Sequence, residues 1–356
     1  MKLTPHILPL VLFVLVLFTA CKTDEPIVSA QSVTLNKSED VLAVGDSVAL
    51  IATLLPDKAQ GTVVWTSSNE KVAIVTEGLV KGLARGSATI KVTVDSLLYS
   101  TCVFTVTADD LPYELVWSEE FDGDALDLTK WNYEIGGYGW GNSEKQYYTD
   151  RTENVRLEDG SLIIEAKKET YKEYTNSYTS ARITTKTKAL FAYGKMEARI
   201  SLPAGKGTWP AFWMLGATSG WPYCGEIDIM EHIGSDPTMI SHATHTSEKN
   251  GSRGNNWFNR QYVDGVEGNY HTYAIEWEKA YSDGDDNISF YIDGVKSTTS
   301  WQKHVDSTLA DWPFNKDFYF ILNLAIGGTM GGTVDDSIFD VPVIMKVDYV
   351  RVYQRK

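Results

Sequence analysis

Three acidic residues, Glu226, Asp228 and Glu231, lie within six positions of the chain, with apolar residues between them. In a regular strand Glu226 and Asp228 share one face, because side chains alternate between the two faces. Glu231 is five positions from Glu226 and would point to the other face. A β-bulge at Ile229 or Met230 takes up one residue and returns Glu231 to the face of the other two acids.

Carboxyl groups held this close suit hydrolysis of a glycosidic bond, which needs one carboxylate and one carboxylic acid. One group attacks the anomeric carbon, and the other protonates the leaving oxygen and then activates water. Neighbouring acids titrate together, so a hydrogen bond from Asp228 could tune Glu226. On spacing alone, two other interpretations stay open: an acidic strand facing solvent, and a calcium site built from clustered oxygens.

Alternating apolar and polar runs over residues 113–356 indicate the strands that must carry these acids, and helix signals there are few. In the run from Lys195 to Leu202, for example, Met196, Ala198 and Ile200 share one face. An all-β unit of this length predicts a jelly roll of two stacked sheets. One of its faces would be concave and long enough to hold a polymer.

Residues 27–108 are rich in Val, Thr, Ser and Ala, and their short alternating runs predict a smaller β-sandwich. The segment resembles the bacterial immunoglobulin-like group 2 domain, most specifically in Trp65-Thr66-Ser67-Ser68-Asn69. Its function is then either glycan binding or a stalk for the next domain. We favour the stalk, because a tryptophan at a strand centre, such as Trp65, is more often a core residue than a ligand platform. A short linker is expected from Thr107 to Pro112.

The first 21 residues are expected to be a signal peptide rather than part of a fold. The apolar run from Ile7 to Ala20 is shorter than the roughly 20 residues of a membrane-spanning helix. Its end resembles a bacterial lipoprotein processing site, which would leave Cys21 for acylation, and the acidic residues that follow resemble surface-export tags of Bacteroidetes lipoproteins. The alternative is a plain secretory signal. The expected location is the cell surface or the outer membrane of a bacterium.

Charge and cysteine content exclude several classes of protein. The net charge of -15 argues against nucleic acid or anionic lipid as a partner, and the 11 Trp and 19 Tyr suit the flat faces of sugars as well as cores. Three cysteines exclude a disulfide scaffold. With Cys21 lipidated, Cys102 and Cys224 fall in different predicted domains, and we expect both to be buried free thiols.

The segment Glu226-Ile-Asp-Ile-Met-Glu231 resembles the signature of glycoside hydrolase family 16, in the bulged form of its laminarinase-like members. Further matching pieces follow in family order across 113–356: Trp117-Ser-Glu-Glu-Phe-Asp-Gly123, Gly139-Trp-Gly-Asn-Ser-Glu-Lys-Gln-Tyr-Tyr148, Thr179-Ser-Ala-Arg182, Trp209-Pro-Ala-Phe-Trp-Met-Leu215, Leu322-Asn-Leu-Ala-Ile-Gly-Gly328 and Val347-Asp-Tyr-Val-Arg-Val-Tyr353. The resemblance implies a concanavalin-like jelly-roll sandwich, a retaining endo-acting mechanism and a β-glucan substrate.

The resemblance also implies roles for individual residues. Glu226 matches the nucleophile, Asp228 the assisting acid and Glu231 the general acid/base. Other positions match residues that bind the substrate: Asn142 and Arg182, which hydrogen-bond sugars on the non-reducing side, and Trp209 and Trp213, which are aromatic platforms of the cleft.

The two tryptophans have core packing as their alternative role. Their even spacing puts both rings on one face of a straight strand, but Pro210 between them makes a central strand less expected there. His245 resembles the cleft histidine of the family. His242 and His245 fall on opposite faces of a strand, so they are not expected to bind one metal together. Which of the two faces the cleft is left open, and a surface or core role is the alternative.

No cofactor is expected for catalysis. Many family members hold a structural calcium ion, and the matching positions are Glu120, Asp348 and Gly160, the last through its carbonyl. The expected partners are a β-glucan and, through an acyl group on Cys21 alone, the membrane; the chain is predicted to be a monomer.

The predicted function is retaining endo-hydrolysis of β-1,3-glucan or of mixed β-1,3-1,4-glucan. One alternative is a galactan hydrolase of the same fold, of the agarase, carrageenase or porphyranase type, for which Arg253 and Arg260 could bind sulfate. Another is a non-catalytic surface lipoprotein that binds glycan.

Overall fold

The computed structural model describes residues 28–107, 112–172, 174–278, 286–302 and 312–355, with the backbone alone for 298–302. The predicted signal peptide, Cys21 and most of the predicted linker lie outside these residues. The described part is almost entirely β-structure, which confirms the predicted class. None of its helices has the length and apolar character needed to cross a membrane.

The first group of strands forms small sheets that pack around their own core. Leu42, Ile90, Cys102 and Phe104 are buried there, and Trp65 packs against them, which agrees with a core role for this tryptophan. The sheets have the strand orders β1-β4, β2-β9-β8-β5 and β3-β7-β6. The strands are β1 (Ser32–Leu35), β2 (Glu39–Ala43), β3 (Ser47–Ala49), β4 (Ala52–Leu55), β5 (Val63–Ser67), β6 (Ala73–Thr76), β7 (Leu79–Gly82), β8 (Gly86–Val94) and β9 (Leu98–Thr107).

The second group comprises the strands β10 (Tyr113–Glu119), β11 (Asn132–Tyr133), β12 (Gln146–Tyr148), β13 (Val155–Glu158), β14 (Ser161–Lys168), β15 (Tyr178–Ser180), β16 (Arg182–Thr184), β17 (Gly194–Ser201), β18 (Thr208–Gly216), β19 (Glu226–His232), β20 (Met239–His245), β21 (Trp257–Tyr262), β22 (Tyr270–Glu278), β23 (Asn287–Ile292), β24 (Val295–Gln302), β25 (Phe318–Ile326) and β26 (Val343–Arg355). Its short helices are the 3-10 turns Gly139–Gly141, Gly251–Arg253 and Asp336–Asp340 and one α-turn, Gly328–Gly331.

These strands form two sheets whose apolar faces meet in one core. The ten-stranded sheet has the order β12-β15-β14-β26-β17-β22-β23-β24, with β10 on β26 and β13 on β14. The seven-stranded sheet has the order β11-β16-β25-β18-β19-β20-β21. The core includes Met196 and Val350 from the larger sheet and Phe212, Ile227 and Phe320 from the smaller one. Two stacked sheets agree with the predicted jelly roll.

The alternation of side chains along β25 shows how the seven-stranded sheet divides its two faces. Phe318, Phe320 and Leu322 point into the core, whereas Tyr319 and Asn323 lie on the opposite face. We call the face opposite the core the acid face, because Glu226, Asp228 and Glu231 lie on it. The strand residues of the site described below lie on five neighbouring strands of this sheet, β16, β25, β18, β19 and β20.

The expectation that Pro210 would keep its segment out of a central strand is wrong. Pro210 lies within β18, which is flanked by β25 and β19. The last pair between β18 and β19 is Ala211 with Glu231, so Pro210 lies just beyond that ladder. Proline has no N–H to donate, and it is tolerated in a strand where no neighbouring strand requires that hydrogen bond.

Candidate active site

The predicted β-bulge is present and determines the geometry of the acids. On the β20 side, Asp228 pairs with Ala243 and Glu231 with Ser241, so three steps along β19 match two along β20. On the β18 side the register shifts in the same place, between Asp228 and Met230. The extra residue restores the alternation, and Glu231 returns to the face of Glu226 and Asp228.

The apolar residues between the acids fix the strand from the other side. Ile227, Ile229 and Met230 are fully buried in the core. Two consecutive residues, Ile229 and Met230, therefore point inward at the bulge, which is how one residue is absorbed without exposing an apolar side chain. Any slip of the register would move apolar side chains out of the core, so the positions of the acids are strongly specified.

Burial is the main cause of the raised pKa values of the three acids. It raises the pKa of Glu226 and of Asp228 well above their usual ranges, and raises that of Glu231 as well. Repulsion adds to this effect: the charge of Asp228 raises the pKa of Glu226, and the charge of Glu231 raises that of Asp228. The three groups therefore retain protons at pH values where isolated carboxyl groups are ionised.

Glu226 and Asp228 interact directly, so the protonation of each carboxyl group depends on that of the other. The side chain of Asp228 is 5 % exposed and that of Glu226 is 17 % exposed. Glu226 is therefore the more accessible of the two carboxyl groups to a sugar. This access is compatible with the role of nucleophile that the resemblance implies for Glu226.

His245 is the histidine that faces the acids. It lies opposite Glu226 on β20, and its Nε2 is 3.2 Å from Asp228 Oδ2 and 3.8 Å from Glu226 Oε1. The backbone N–H of Gly251 donates to its Nδ1 at 3.0 Å. In the neutral ring, Nδ1 therefore lacks a proton and Nε2 carries it. His245 thus directs an N–H toward the two carboxyl groups.

This tautomer bears on metal binding. One ligand atom each from Glu226, Asp228 and His245 lie within 4.8 Å of one another, the only such cluster of three His, Cys, Asp or Glu residues in the described part of the chain. A metal at Nε2 would move the ring proton to Nδ1, opposite the N–H of Gly251. The arrangement therefore suits hydrogen bonding between the three groups better than metal coordination.

His242 lies on the core face, which settles the question that the sequence left open. It is fully buried, its ring stacks on Phe290 at 4.9 Å between centroids, and its Nδ1 is 2.7 Å from the Ile229 carbonyl oxygen. Burial lowers the pKa of His242 to about 4. It is therefore neutral at physiological pH and supports the bulge from below.

Trp209 and Trp213 both lie on the acid face, next to the acids. The indole N–H of Trp209 donates to Glu231 Oε1 at 3.0 Å, and this bond partly offsets the rise in the pKa of Glu231. Trp213 pairs with Asp228 across the ladder, and its N–H donates to Asn323 Oδ1 at 2.7 Å. Each ring is therefore fixed by a hydrogen bond beside a catalytic carboxyl group.

Arg182 is held between two aromatic rings. Its guanidinium carbon is 4.8 Å from the centroid of Trp213 and 4.6 Å from that of Trp140, and it forms an ion pair with Glu134. The sequence alone indicated no role for Trp140 or Glu134. The signal in the sequence was a tryptophan between two glycines. In the structure Trp140 has a φ of 49°, and such backbone strain tends to occur at functional sites.

A buried hydrogen-bond chain behind Trp213 was also missed. Asn323, which accepts from Trp213, donates to the Tyr148 hydroxyl at 3.1 Å, and that hydroxyl donates to Glu144 Oε2 at 3.0 Å. Gln146 donates to the same carboxylate oxygen at 2.6 Å. Burial raises the pKa of Glu144. Glu144 and Tyr148 belong to the segment Gly139–Tyr148 that resembles the family, in which a role was predicted for Asn142 alone.

Asn142 is brought close to the acid face by a glycine. Gly328 has a φ of 76°, and a Cβ there would lie 2.9 Å from the Asn142 carbonyl oxygen and 3.3 Å from the Trp209 ring. Only glycine permits this approach. Trp209, Trp213 and His245 therefore lie beside the three acids, Arg182 lies against Trp213, and Asn142 lies near Trp209 through Gly328.

Of the predicted calcium ligands, Asp348 lies on β26 of the ten-stranded sheet and Glu120 directly follows β10, and both have arginine partners. Arg351 donates to both Glu120 oxygens, at 3.0 and 2.7 Å, and Arg199 donates to Asp348 at 2.6 Å. Gly160 lies in the turn between β13 and β14. Calcium would have to displace both arginines, so the donor set does not fit the ion as arranged.

Cys102 and Cys224 are both buried and free, as predicted. Burial raises the pKa of each thiol. Neither group is therefore a reactive thiolate at neutral pH.

The carboxyl pair, the tryptophans and the arginine on one sheet face define a glycoside hydrolase. The model of the glycosyl hydrolases family 16 matches residues 142–337, and that of the bacterial Ig-like domain (group 2) matches 29–101. The chain belongs to glycosyl hydrolase family 16, with an Ig-like domain at its N-terminal side.

Known proteins agree with this membership. A β-glucanase of Rhodothermus marinus is 42 % identical over 260 residues, which cover 69 % of this chain and 87 % of that protein. The laminarinase of Flavobacterium sp. UMI-01 is 45 % identical with a TM-score of 0.60, over 68 % of this chain and 100 % of that one. SCLam, a non-specific endo-β-1,3(4)-glucanase, is 38 % identical with a TM-score of 0.63, over 69 % and 93 %.

Proposed function

We propose that the protein is a retaining endo-β-glucanase that hydrolyses β-1,3-glucan or mixed-linkage β-1,3-1,4-glucan. The observation that carries this proposal is the β19 bulge, which puts Glu226, Asp228 and Glu231 on one face beside His245. The relatives with the greatest identity are named for β-glucans, and they support this class of substrate. Hydrolysis of a glycosidic bond requires one carboxylate and one carboxylic acid, and carboxyl groups that titrate together supply both states.

In the first step, Glu226 attacks the anomeric carbon and its oxygen forms a bond to that carbon. The glycosidic C–O bond breaks, and the leaving oxygen takes the proton of Glu231. In the second step, Glu231 removes a proton from water, whose oxygen attacks the same carbon and releases Glu226 as a carboxylate. Two inversions give retention of configuration, and Glu231 ends the cycle protonated.

The neighbouring side chains maintain these protonation states. Asp228 interacts directly with Glu226, and the protonation of each group depends on the other. The Nε2–H of His245 points to the same pair. Trp209 donates to one oxygen of Glu231, which leaves the other oxygen to carry the transferred proton.

The substrate chain lies across the strands of the acid face. Trp213 offers an aromatic surface next to Asp228, and Arg182, fixed between Trp213 and Trp140, offers N–H donors to sugar hydroxyl groups. Asn142, whose backbone carbonyl oxygen lies against Gly328 near Trp209 and whose side-chain amide donates to Glu144 Oε1 at 3.4 Å, adds a further polar group. These residues bind sugar rings in register with the scissile bond.

The experiment that tests this function is incubation of the protein with laminarin, barley β-glucan, lichenan and agarose, with separation of the products. We expect short oligosaccharides from laminarin, from the mixed-linkage glucans, or from both, and none from agarose. Absence of new reducing ends from every β-glucan would contradict the proposal, and cleavage of agarose alone would favour the galactan hydrolase. Arg253, one of the two arginines that could bind sulfate in a galactan hydrolase, forms an ion pair with Glu248 at 3.2 Å.

We also propose that the enzyme is a monomeric lipoprotein of the bacterial cell surface, anchored through Cys21. The lipoprotein-like sequence before Cys21 supports this location. Expression of the full chain with labelled palmitate should label the wild-type protein and leave Cys21→Ser unlabelled. Label in both proteins, or in neither, contradicts the anchor.

Structural calcium at Glu120, Gly160 and Asp348 stays a prediction, and it requires displacement of Arg199 and Arg351. If an ion binds there, calcium raises the melting temperature of the wild-type protein and does not raise that of Asp348→Asn. A melting temperature that is unchanged by calcium or by chelation rejects the site.

A further inference from the structure

The acid face continues past the catalytic strand to β21, the last strand of the seven-stranded sheet among the described residues. Asp228 pairs with Ala243, which pairs with Phe258; Glu231 pairs with Ser241, which pairs with Arg260. Residues that pair directly share one face of the sheet. Phe258 and Arg260 are therefore on the acid face, in line with the catalytic acids.

The opposite face of β21 confirms this orientation. Trp257 stacks on the core residue Phe290 at 5.1 Å between ring centroids, and Asn259 Oδ1 accepts a hydrogen bond from Ser297 at 3.0 Å. Phe258 and Arg260, which alternate with these residues, point away from the core and are exposed. The guanidinium carbon of Arg260 is 5.0 Å from the centroid of the Phe258 ring.

The strand between the acids and this pair has small side chains on the acid face. Ala243 and Ser241 are small and are covered by their neighbours, so neither side chain projects as a wall between the acids and the Phe258–Arg260 pair. Adjacent strands lie about 4.8 Å apart, which puts β21 roughly 10 Å from β19. A chain of sugars that crosses this strand from the cleavage point reaches Phe258 and Arg260 within the length of a disaccharide.

The two sides of the catalytic strand differ in burial. On the β18 side, Trp209 and Arg182 are buried, and Arg182 is clamped between two rings. On the β21 side, Phe258 is 39 % exposed. A retaining enzyme holds the glycosyl part of its substrate through both steps, whereas the leaving part departs and water enters. The preorganised side suits the glycosyl part, and the open side suits the leaving part.

We infer that Phe258 and Arg260 form a subsite for the reducing-end part of the glucan, the part that leaves in the first step. This inference rests on the proposed function and adds a specificity site to it. The ring of Phe258 packs against the face of a sugar, and Arg260 donates to its hydroxyl groups. The same subsite binds an acceptor sugar, whose hydroxyl oxygen attacks the glycosyl–Glu226 ester while Glu231 takes its proton; a new glycosidic bond forms and Glu226 is released.

Two substrates separate the sides of the cleft. Laminarihexaose occupies both sides, whereas 4-nitrophenyl β-laminaritrioside has only an aryl group on the leaving side. For Phe258→Ala and for Arg260→Ala, we expect the ratio of kcat/KM on the hexasaccharide to kcat/KM on the aryl glycoside to fall about three- to tenfold. The yield of transglycosylation products at high oligosaccharide concentration falls with it, because acceptor binding is lost.

The controls address folding and charge. Phe258→Tyr retains an aromatic ring and restores the ratio. Arg253→Ala removes a nearby exposed arginine that pairs with Glu248, and it leaves the ratio unchanged. Melting temperatures show whether each variant is folded.

A ratio that stays constant in both Phe258→Ala and Arg260→Ala overturns the subsite. If both kcat/KM values fall equally, the residues act on the glycosyl side or in folding; if neither value falls, the residues do not contact the substrate. A wild-type protein that cleaves neither of these substrates, nor barley β-glucan or lichenan, contradicts the proposed function itself, which distinguishes the two failures.

Discussion

The two faces of β19 and β20 are built from one stretch of chain and follow opposite rules. On the core face, Ile227 and Ile229 are fully buried among apolar side chains, and His242 is neutral and stacked on Phe290. On the acid face, three carboxyl groups are buried together and repel one another. His242 and His245 are three residues apart, yet one is a packing residue and the other faces the acids.

This difference shows where stability and activity come from. Burial of apolar groups on the core face favours folding, whereas burial of carboxyl groups on the acid face disfavours their charged forms and opposes it. The core face therefore has to compensate for the acid face. Changes on the two faces should consequently separate activity from stability.

The largest expected effect is on activity. Glu226→Gln and Glu231→Gln should each reduce kcat on laminarin by at least about a thousandfold, because an amide neither attacks carbon nor transfers the required proton. Circular dichroism and melting temperature should show a folded protein, since a buried acid becomes neutral. Glu158→Gln, an exposed acid on the other sheet, is the matched control and should retain activity.

The two acids can then be told apart. Glu231→Gln should retain more activity on an aryl glycoside with a good leaving group than on laminarin, because such a group needs no proton. Glu226→Gln should lose both activities. An identical pattern for the two variants would contradict the assigned roles.

On the core face, Ile227→Ala should lower the free energy of unfolding by about 2–5 kcal/mol, because it leaves a cavity beneath the acids. The kcat of the fraction that remains folded should change far less than in the two glutamine variants. Urea denaturation and active-site titration measure the two quantities. A variant that is stable but inactive would show that the two faces are not separable.

The separation of the faces was predictable from the sequence, but the position of each residue on them was not. The bulge could be predicted because three acids at positions 226, 228 and 231 share a face only if one residue is absorbed. Parity also showed that His242 and His245 face opposite ways. Which of them faces the acids depends on the register between β19 and β20, which no local pattern of residues encodes.

Contacts between distant segments were likewise beyond reach. The clamp on Arg182 joins β16 to β18 and to the loop that carries Trp140, and the chain from Trp213 to Glu144 passes through Asn323 on β25. Such contacts are set by tertiary packing rather than by periodicity. Pro210 failed as a signal for a related reason, because its effect depended on where the neighbouring strand ends.

A smaller effect is expected when one acid is neutralised. Asp228 binds its proton more tightly when folded, so its contribution to stability is complete below its unfolded pKa and is lost as pH rises toward the folded pKa. Asp228→Asn removes this loss and should be more stable than wild type at pH 7, by about 1–2 kcal/mol or a few degrees in melting temperature. The difference should disappear near pH 4. A destabilised variant at pH 7 would contradict the direction of the shift.

The smallest effect tests the hydrogen bond that links β18 to the general acid. The indole N–H of Trp209 favours the charged form of Glu231 and holds its pKa below the value that burial alone would give. Trp209→Phe keeps an aromatic ring but removes the donor, so the pKa of Glu231 should rise. Because Glu231 must be protonated in the first step, the alkaline limb of the kcat/KM profile should move to higher pH by about half to one unit. Trp257→Phe, a ring change on the core face, should leave that limb in place. A shift to lower pH in Trp209→Phe would show that the indole is not the donor that tunes this acid.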